Sequence, residues 1–359
     1  MYDDFGFVDL LSIDKLTERR LFLLLEHFKN PLKIANARYR ELFEVVGQDI
    51  AHRILNYKRG ETVKRKNEIC QKLDIDIIAY NSNKYPAWLR DIALFPPVLF
   101  VRGMIKSDDE ISIGVVGTRG ATVYGKSIAE RFAGDFARSG ITVVSGMARG
   151  VDTMAHIGAL KNKGRTIAVL GCGIDRCYPP ENRRLMEGII ENGAVISEFN
   201  IGTPPLAHNF PKRNRIVSGL SKAILAIEAK EKSGVMNTVN WALDQNKEVF
   251  AIPGNIYSKT SSGTNRLIKD GATPVTTVDE ILNSLGIKYT RKEIEAKKIA
   301  LNETEKKVWD RLSNEPTYLD VLSETMAEPT GSILNILLNL EIKGLVKQLP
   351  GMMFVKTTE

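Results

Sequence analysis

Glycines and arginines spaced along the ends of apolar runs carry the chemistry of this chain. In ISIGVVGTRGATVYGKSIAERFAGDFARSGITVVSGMARG (111–150), two buried-strand patterns end in Gly117 and Gly146, and an arginine follows each within a few residues, Arg119 and Arg149. Glycine lets backbone approach a phosphate, a helix N-terminus offers unpaired N–H groups, and arginine adds a charged fork. The loop Gly117-Thr118-Arg119-Gly120 is not the G-x-G-x-x-G run that seats a dinucleotide. An arginine in this loop suits a phosphodiester clamp better than a redox-cofactor seat. Two more loops point to the same chemistry. GCGIDRCYPPENRR (171–184) brings Gly171 and Gly173 for close approach and Arg176, Arg183 and Arg184 for charge, and HNFPKRNRIVSG (208–219) brings Phe210, Lys212, Arg213, Asn214 and Arg215. A ring beside a dense basic run suits a single-stranded nucleic acid, with stacking on the ring and phosphate pairing from the cations.

Other reactive groups point to no enzyme. Asp152 and His156 lie four apart on one helical face and could bond each other; they read as a helix-capping aspartate orienting a structural histidine rather than a catalytic pair. His27, His52 and His208 have no Cys or carboxylate at ligand spacing, so no metal is expected, and no cofactor either. Cys70, Cys172 and Cys177 fit neither a disulfide framework nor a zinc site and read as buried free thiols in a reducing cytosol. No G-x-S-x-G elbow occurs.

The elements that must position these loops follow from periodicity. Six continuous apolar strands, ISIGVVG, ITVVSG, RTIAVLG, AVISEF, AILAIEA and EVFAIPG, alternate with helical segments. That pattern predicts a doubly wound, Rossmann-like α/β domain with a parallel sheet, whose ligands bind at the carboxyl ends of the strands. Residues 1–60 read as a small helical domain in which Leu21, Leu24, Leu25 and Phe28 share a face. Residues 61–286 read as the α/β domain with its lead-in, where Pro96-Pro97 before VLFV suggests an edge strand. Residues 287–300 read as a charged linker, and 301–359 as three helices closed by a β-hairpin, a winged-helix-like domain.

Charge and length narrow the classes further. The 359 residues call for two or three domains. The net charge of +7 is uneven: residues 301–359 hold 6 basic and 9 acidic side chains, and the first 300 hold 44 and 34. A positive body invites polyanions. The third helix of the last domain offers Ser332, Asn335, Asn339, Glu341 and only Lys343 as a base, so a protein-docking or regulatory role suits it better than reading a major groove. No apolar run approaches the roughly 20 residues of a membrane span, and Met1–Leu11 carries acids rather than a basic leader, so a cytoplasmic protein is expected.

The ordered runs GTRGATVYG, SGMARGVDTMAH, GCGIDRCYPPEN, FPKRNRIVSGLS, EAKEKSGVMNT, FAIPG and SSGTNRLIKDGA closely resemble the DprA/Smf family of DNA-processing proteins, over roughly residues 80–286. The resemblance implies a Rossmann-like protein without enzymatic activity that binds single-stranded DNA, displaces or bypasses single-strand-binding protein and loads the RecA recombinase during natural transformation. It implies phosphate contacts from Arg119 and from Lys212 to Arg215, and a homodimer formed near Leu267 to Val278. SGVMNT departs from the family's more frequent S-G-S-L-x-T and leaves the contacts of Val235 to Asn237 open. The rival class is a nucleotide-binding enzyme or sensor of phosphoribohydrolase type. Thr238 survives from its loop, but Trp241 stands where its glutamate would. A third class is a duplex-DNA regulator working through the winged helix, which that domain's acidic balance weakens.

Overall fold

The computed structural model describes residues 6–58, 60–289, 301–313 and 315–356. Backbone contacts divide the chain into two units, 1–291 and 292–359. Most of the linker expected at 287–300 lies outside the described residues.

The first unit opens with helices α1 (Phe7–Leu10), α2 (Glu18–Phe28), α3 (Pro31–Ala35), α4 (Tyr39–Leu55) and α5 (Glu61–Lys72). Thr17 and Asn30 cap α2 and α3 by accepting the N–H of Arg20 and Lys33, and Pro31 takes the first position of α3, where no donor is needed. Within α4 the chain breaks at Gly47, whose φ of 77° lies in the left-handed region. Leu21, Leu24 and Leu25 are buried together with Leu42, Ile50 and Val98, so the expected face of α2 packs inward. The ring of Phe22 sits 4.9 Å from that of Tyr80 and 5.5 Å from that of Phe95, fastening α2 to the segment that leads into the sheet.

There follow β1 (Asp76–Ala79), β2 (Val98–Gly103), β3 (Ser112–Val116), α6 (Val123–Arg138), β4 (Thr142–Ser145), α7 (Val151–Lys161), β5 (Thr166–Val169), α8 (Arg183–Asn192), β6 (Ala194–Ser197), α9 (Asn209–Leu220), β7 (Ala223–Ala226), α10 (Gly234–Asp244), β8 (Glu248–Ala251), α11 (Ser262–Lys269), β9 (Thr273–Pro274) and α12 (Val278–Ser284). The nine strands form one sheet in the order β1-β2-β6-β5-β4-β3-β7-β8-β9. From β6 to β9 every pairing is parallel, whereas β2 runs antiparallel to both β6 and β1. Alternate strand residues face opposite layers: Val116, Val144, Ile167 and Ile224 pack with Ile216 and Leu220 of α9 and Val239 of α10, while Ile113, Val115, Val143 and Leu225 pack with Phe132 and Phe136 of α6 and Ile281 of α12.

The doubly wound expectation holds, with one correction. β2 is not an edge strand: it lies between β1 and β6, and Pro96 and Pro97 fall just before it, where they interrupt no ladder bond. The chain runs outward from β3 through β4, β5 and β6, then returns to place β7 on the other flank of β3. The strand order therefore reverses between β3 and β7.

The second unit packs α13 (Glu303–Arg311), α14 (Leu319–Met326) and α15 (Thr330–Ile342) around Val308, Leu322, Leu337 and Phe354. Its hairpin, β11 (Val346–Leu349) and β12 (Met353–Lys356), gains a third strand, β10 (Thr317–Tyr318), that the sequence pattern did not show.

Candidate nucleic-acid interface

At the carboxyl ends of β3, β4 and β5 the loops converge on one pocket, lined by Arg119, Gly146, Ala148, Arg149, Gly171, Cys172, Tyr178, Pro179 and Phe210. Phe210 is its centre. The Arg119 guanidinium lies 5.1 Å from the ring centroid on the exposed side, that of Arg213 lies 6.0 Å away, and Tyr178 packs at 5.5 Å. These are cation–π distances. Arg119 is exposed and forms no ion pair with the described residues. Arg149 is exposed as well and holds Glu181 through two bonds of 2.5 and 3.1 Å.

The basic run on α9 divides against expectation. Arg213 is 3 % exposed and donates to the carbonyls of Gly146 (2.7 Å) and Val169. Burial pulls its pKa below the usual guanidinium value. Arg215 is 2 % exposed; it grips Glu198 with two bonds of 2.7 Å and reaches the carbonyl of Leu94 at 2.8 Å. The resemblance implies phosphate contacts from both, but in this structure both are buried and bonded to the protein itself. The physical reason is that α9 is covered on two sides: residues two apart lie about 200° around a helix, so Arg213 turns to the strand ends at Gly146 and Val169 while Arg215 turns to Leu94 and Glu198. Lys212 remains half-exposed, paired with Glu18 and 3.4 Å from Glu198, with its ammonium 5.3 Å from the ring of Phe199. Asn214 donates to the side chain of Asn237 at 3.2 Å, which gives one residue of the divergent SGVMNT run a place beside the basic helix.

The glycines also serve differently from the expectation of bare backbone under a phosphate. A Cβ on Gly146 would fall 2.5 Å from the Arg213 guanidinium, and one on Gly171 would fall 2.8 Å from the Phe210 ring, so both make room for side chains that build the pocket. Gly117 fits against Val151 in the same way, Gly173 against the carbonyl of Asn200, and Gly120 faces open space. Thr118 anchors the first loop by donating its N–H to Glu228 O at 2.7 Å.

The N-terminus of α6 is closed. Thr122 caps it by accepting the N–H of Gly125 (3.1 Å), and the buried Glu228 carboxylate accepts both the N–H (2.9 Å) and the hydroxyl (2.7 Å) of Thr122. Sequence reading missed Glu228, though its place at the end of a strand beside the order reversal was a usable signal. A carboxylate at this spot takes the favourable end of the helix dipole and repels a phosphate from it. A cavity of about 430 Å³ beside it is lined by Tyr124, Asn255 and Ser258 among others.

Asp152 does not cap α7 as expected: the N-cap is Gly150, and the carboxylate, in the first turn, instead ties down the preceding loop by accepting the N–H groups of Gly146 (3.2 Å) and Ala148 (3.3 Å). Burial pushes its pKa up to about 6 against the pull of Arg213. It does not orient His156, whose Nδ1 instead meets Thr166 Oγ1 at 2.7 Å. Since that hydroxyl donates to Val143 O at 2.8 Å, His156 carries its proton on Nδ1, and full burial holds its pKa down to about 3. The three cysteines are free thiols; Cys70 and Cys172 are buried, and burial lifts Cys172 to about 11. No grouping of metal-binding side chains occurs among the described residues, and no described helix is long and apolar enough to cross a membrane. In the second unit, Lys343 bonds Glu305 at 2.6 Å, so the third helix's base is engaged.

Comparison with known proteins places this architecture. The model of the DNA recombination-mediator protein A family matches residues 76–286, and that of the DprA winged helix domain matches residues 293–352. The chain belongs to the DprA/Smf family. Protein Smf of Escherichia coli is 36 % identical over 84 % of this chain and 82 % of its own length. The solved structure of DNA processing protein A from Streptococcus pneumoniae matches with a TM-score of 0.66 and 31 % identity over 76 % of this chain and 95 % of that one. That of the Helicobacter pylori protein, described for its single-stranded DNA binding mode, matches with a TM-score of 0.54 and 28 % identity over 61 % and 98 %. The DprA/Smf match spans the whole basic edge, from Arg119 to the α9 run.

Proposed function

We propose that this protein is a single-stranded-DNA-binding recombination mediator that takes up the strand along the edge formed by Arg119, Phe210 and Lys212. The observation that carries this reading is Arg119: an exposed guanidinium with no ion pair among the described residues, stacked on a ring at the mouth of a pocket. A phosphate can pair with its free edge while a base stacks beside the ring, and neither contact depends on base identity. Exposed Arg176, Arg183 and Arg184 extend the positive path. The H. pylori relative's described binding mode supports the same ligand. Loading of RecA onto the strand in the cytoplasm, displacement of single-strand-binding protein and a role in DNA-mediated transformation complete the reading. So does a homodimer formed near 267–278, where Leu267 and Val278 themselves are buried and Arg266, Lys269 and the edge strand β9 are outward. The nucleotide-enzyme alternative loses support because Glu228 fills the helix N-terminus where a phosphate would sit.

The deciding measurement is fluorescence anisotropy of labelled oligothymidine, with duplex and mononucleotides as competitors. Binding that weakens with salt by about 0.7 in log–log slope per phosphate neutralised, and that duplex and mononucleotides compete poorly, is the expected result. A mononucleotide that binds where the oligomer does not would replace this reading with a nucleotide site.

A further inference from the structure

Lys212 is the one cation of the FPKRNR run that remains half-exposed, and it is already occupied. Its ammonium pairs with Glu18, the first residue of α2, which lies 194 positions away in sequence. Four charges meet here: Lys212 and Arg215 against Glu18 and Glu198. Their exposures differ sharply. The side chains of Arg215 and Glu198 are 3 % and 2 % exposed and locked by two bonds of 2.7 Å, whereas those of Lys212 and Glu18 are 39 % and 46 % exposed. Glu198 therefore stays and positions the lysine from below, 3.4 Å away. Glu18 covers it from the solvent side.

We infer that the Glu18 carboxylate occupies, in the DNA-free protein, the place on Lys212 that a DNA phosphate takes, and that the incoming strand displaces it. This rests on the reading of Lys212 as a phosphate contact. A phosphodiester and a carboxylate each carry one negative charge, so the exchange leaves the charge balance over buried Arg215 and Glu198 unchanged. The departing Glu18 keeps a favourable setting, because a carboxylate in the first turn of α2 interacts well with the helix N-terminus. The device also discriminates by length. An isolated phosphate must displace Glu18 with one contact, whereas a strand already held at Arg119 presents its next phosphates at high effective concentration. The N-terminal helices thereby bias the site toward strands and away from single phosphates.

The test compares the oligothymidine affinities of full-length wild type, Glu18→Gln, Lys212→Ala and the double variant at one salt concentration. Glu26→Gln, an exposed carboxylate on the same helix, is the control for net charge. Glu18→Gln is expected to bind about three-fold tighter, in keeping with removal of one half-exposed pair. Lys212→Ala should bind more weakly, the gain from Glu18→Gln should vanish in its background, and Glu26→Gln should match wild type. An unchanged or weakened Glu18→Gln beside a weakened Lys212→Ala overturns the displacement while leaving the strand site standing. An equal gain in Glu26→Gln, or a gain that survives loss of Lys212, overturns it in favour of bulk charge. A Lys212→Ala variant with wild-type affinity would instead strike the underlying assignment of Lys212.

Discussion

Arg119 and Arg213 approach the same ring, 5.1 and 6.0 Å from the centroid of Phe210, yet they belong to different parts of the protein's economy. Arg213 is buried, with carbonyls of two strand ends and the Asp152 carboxylate around it; Arg119 faces solvent, and its guanidinium donates to none of the described residues. The difference teaches that positive charge at this edge has two jobs. An inner layer ties the ends of β4 and β5 to α9 and so holds Phe210 in place. An outer layer offers the charge that a ligand can use.

The contrast is broken most forcefully from inside. Arg213→Ala leaves the carbonyls of Gly146 and Val169 without their buried donor and removes the positive charge that favours the Asp152 carboxylate, and should cost about 3–5 kcal/mol of stability, seen as a marked drop in the denaturant midpoint. A midpoint equal to wild type would mean the inner layer is not structural. Acid tests the same layer next. The folded state holds His156 neutral down to about pH 3, while the unfolded chain takes up a proton below about 6.5. The stability this group contributes is thus whole above 6.5 and is lost as pH falls toward 3. Between pH 7.5 and 5 wild type should lose about 2 kcal/mol that His156→Gln does not, measured by denaturant unfolding at each pH. In the outer layer, Arg119→Ala should weaken oligothymidine binding about tenfold with an unchanged unfolding midpoint, and should lower the salt slope by about 0.7. Loss of folding instead would move Arg119 into the inner layer. The smallest effects separate the glycines: Gly171→Ala must displace Phe210 and should cost several-fold in affinity, whereas Gly120→Ala meets open space and should stay within about 0.5 kcal/mol of wild type. Equal effects would remove Phe210 from the binding account.

The fold was legible in the sequence because each strand from β3 to β8 is an unbroken apolar run closed by glycine or a polar turn. The site was half legible. The loops carrying Arg119, Arg149, Gly171 and Phe210 converge as their positions at strand ends required. The division of Lys212, Arg213 and Arg215 was not readable, because it depends on Gly146, Val169 and Glu198, distant in sequence and brought under α9 by the strand order. Glu18 and Glu228 escaped notice for the same reason: a lone carboxylate carries no periodic signature, and each acts across long sequence separations. The edge-strand reading of VLFV failed because β1 adds outside β2, a pairing that neither strand announces.

Glu228, seated against Thr122 at the head of α6, has a consequence for how the protein behaves among small molecules. Folds of this kind commonly offer that helix end to soluble phosphate compounds, which are plentiful wherever DNA is handled. Here the protein brings its own permanent tenant. A phosphate compound that reaches this helix end meets a fixed negative charge instead of open N–H groups.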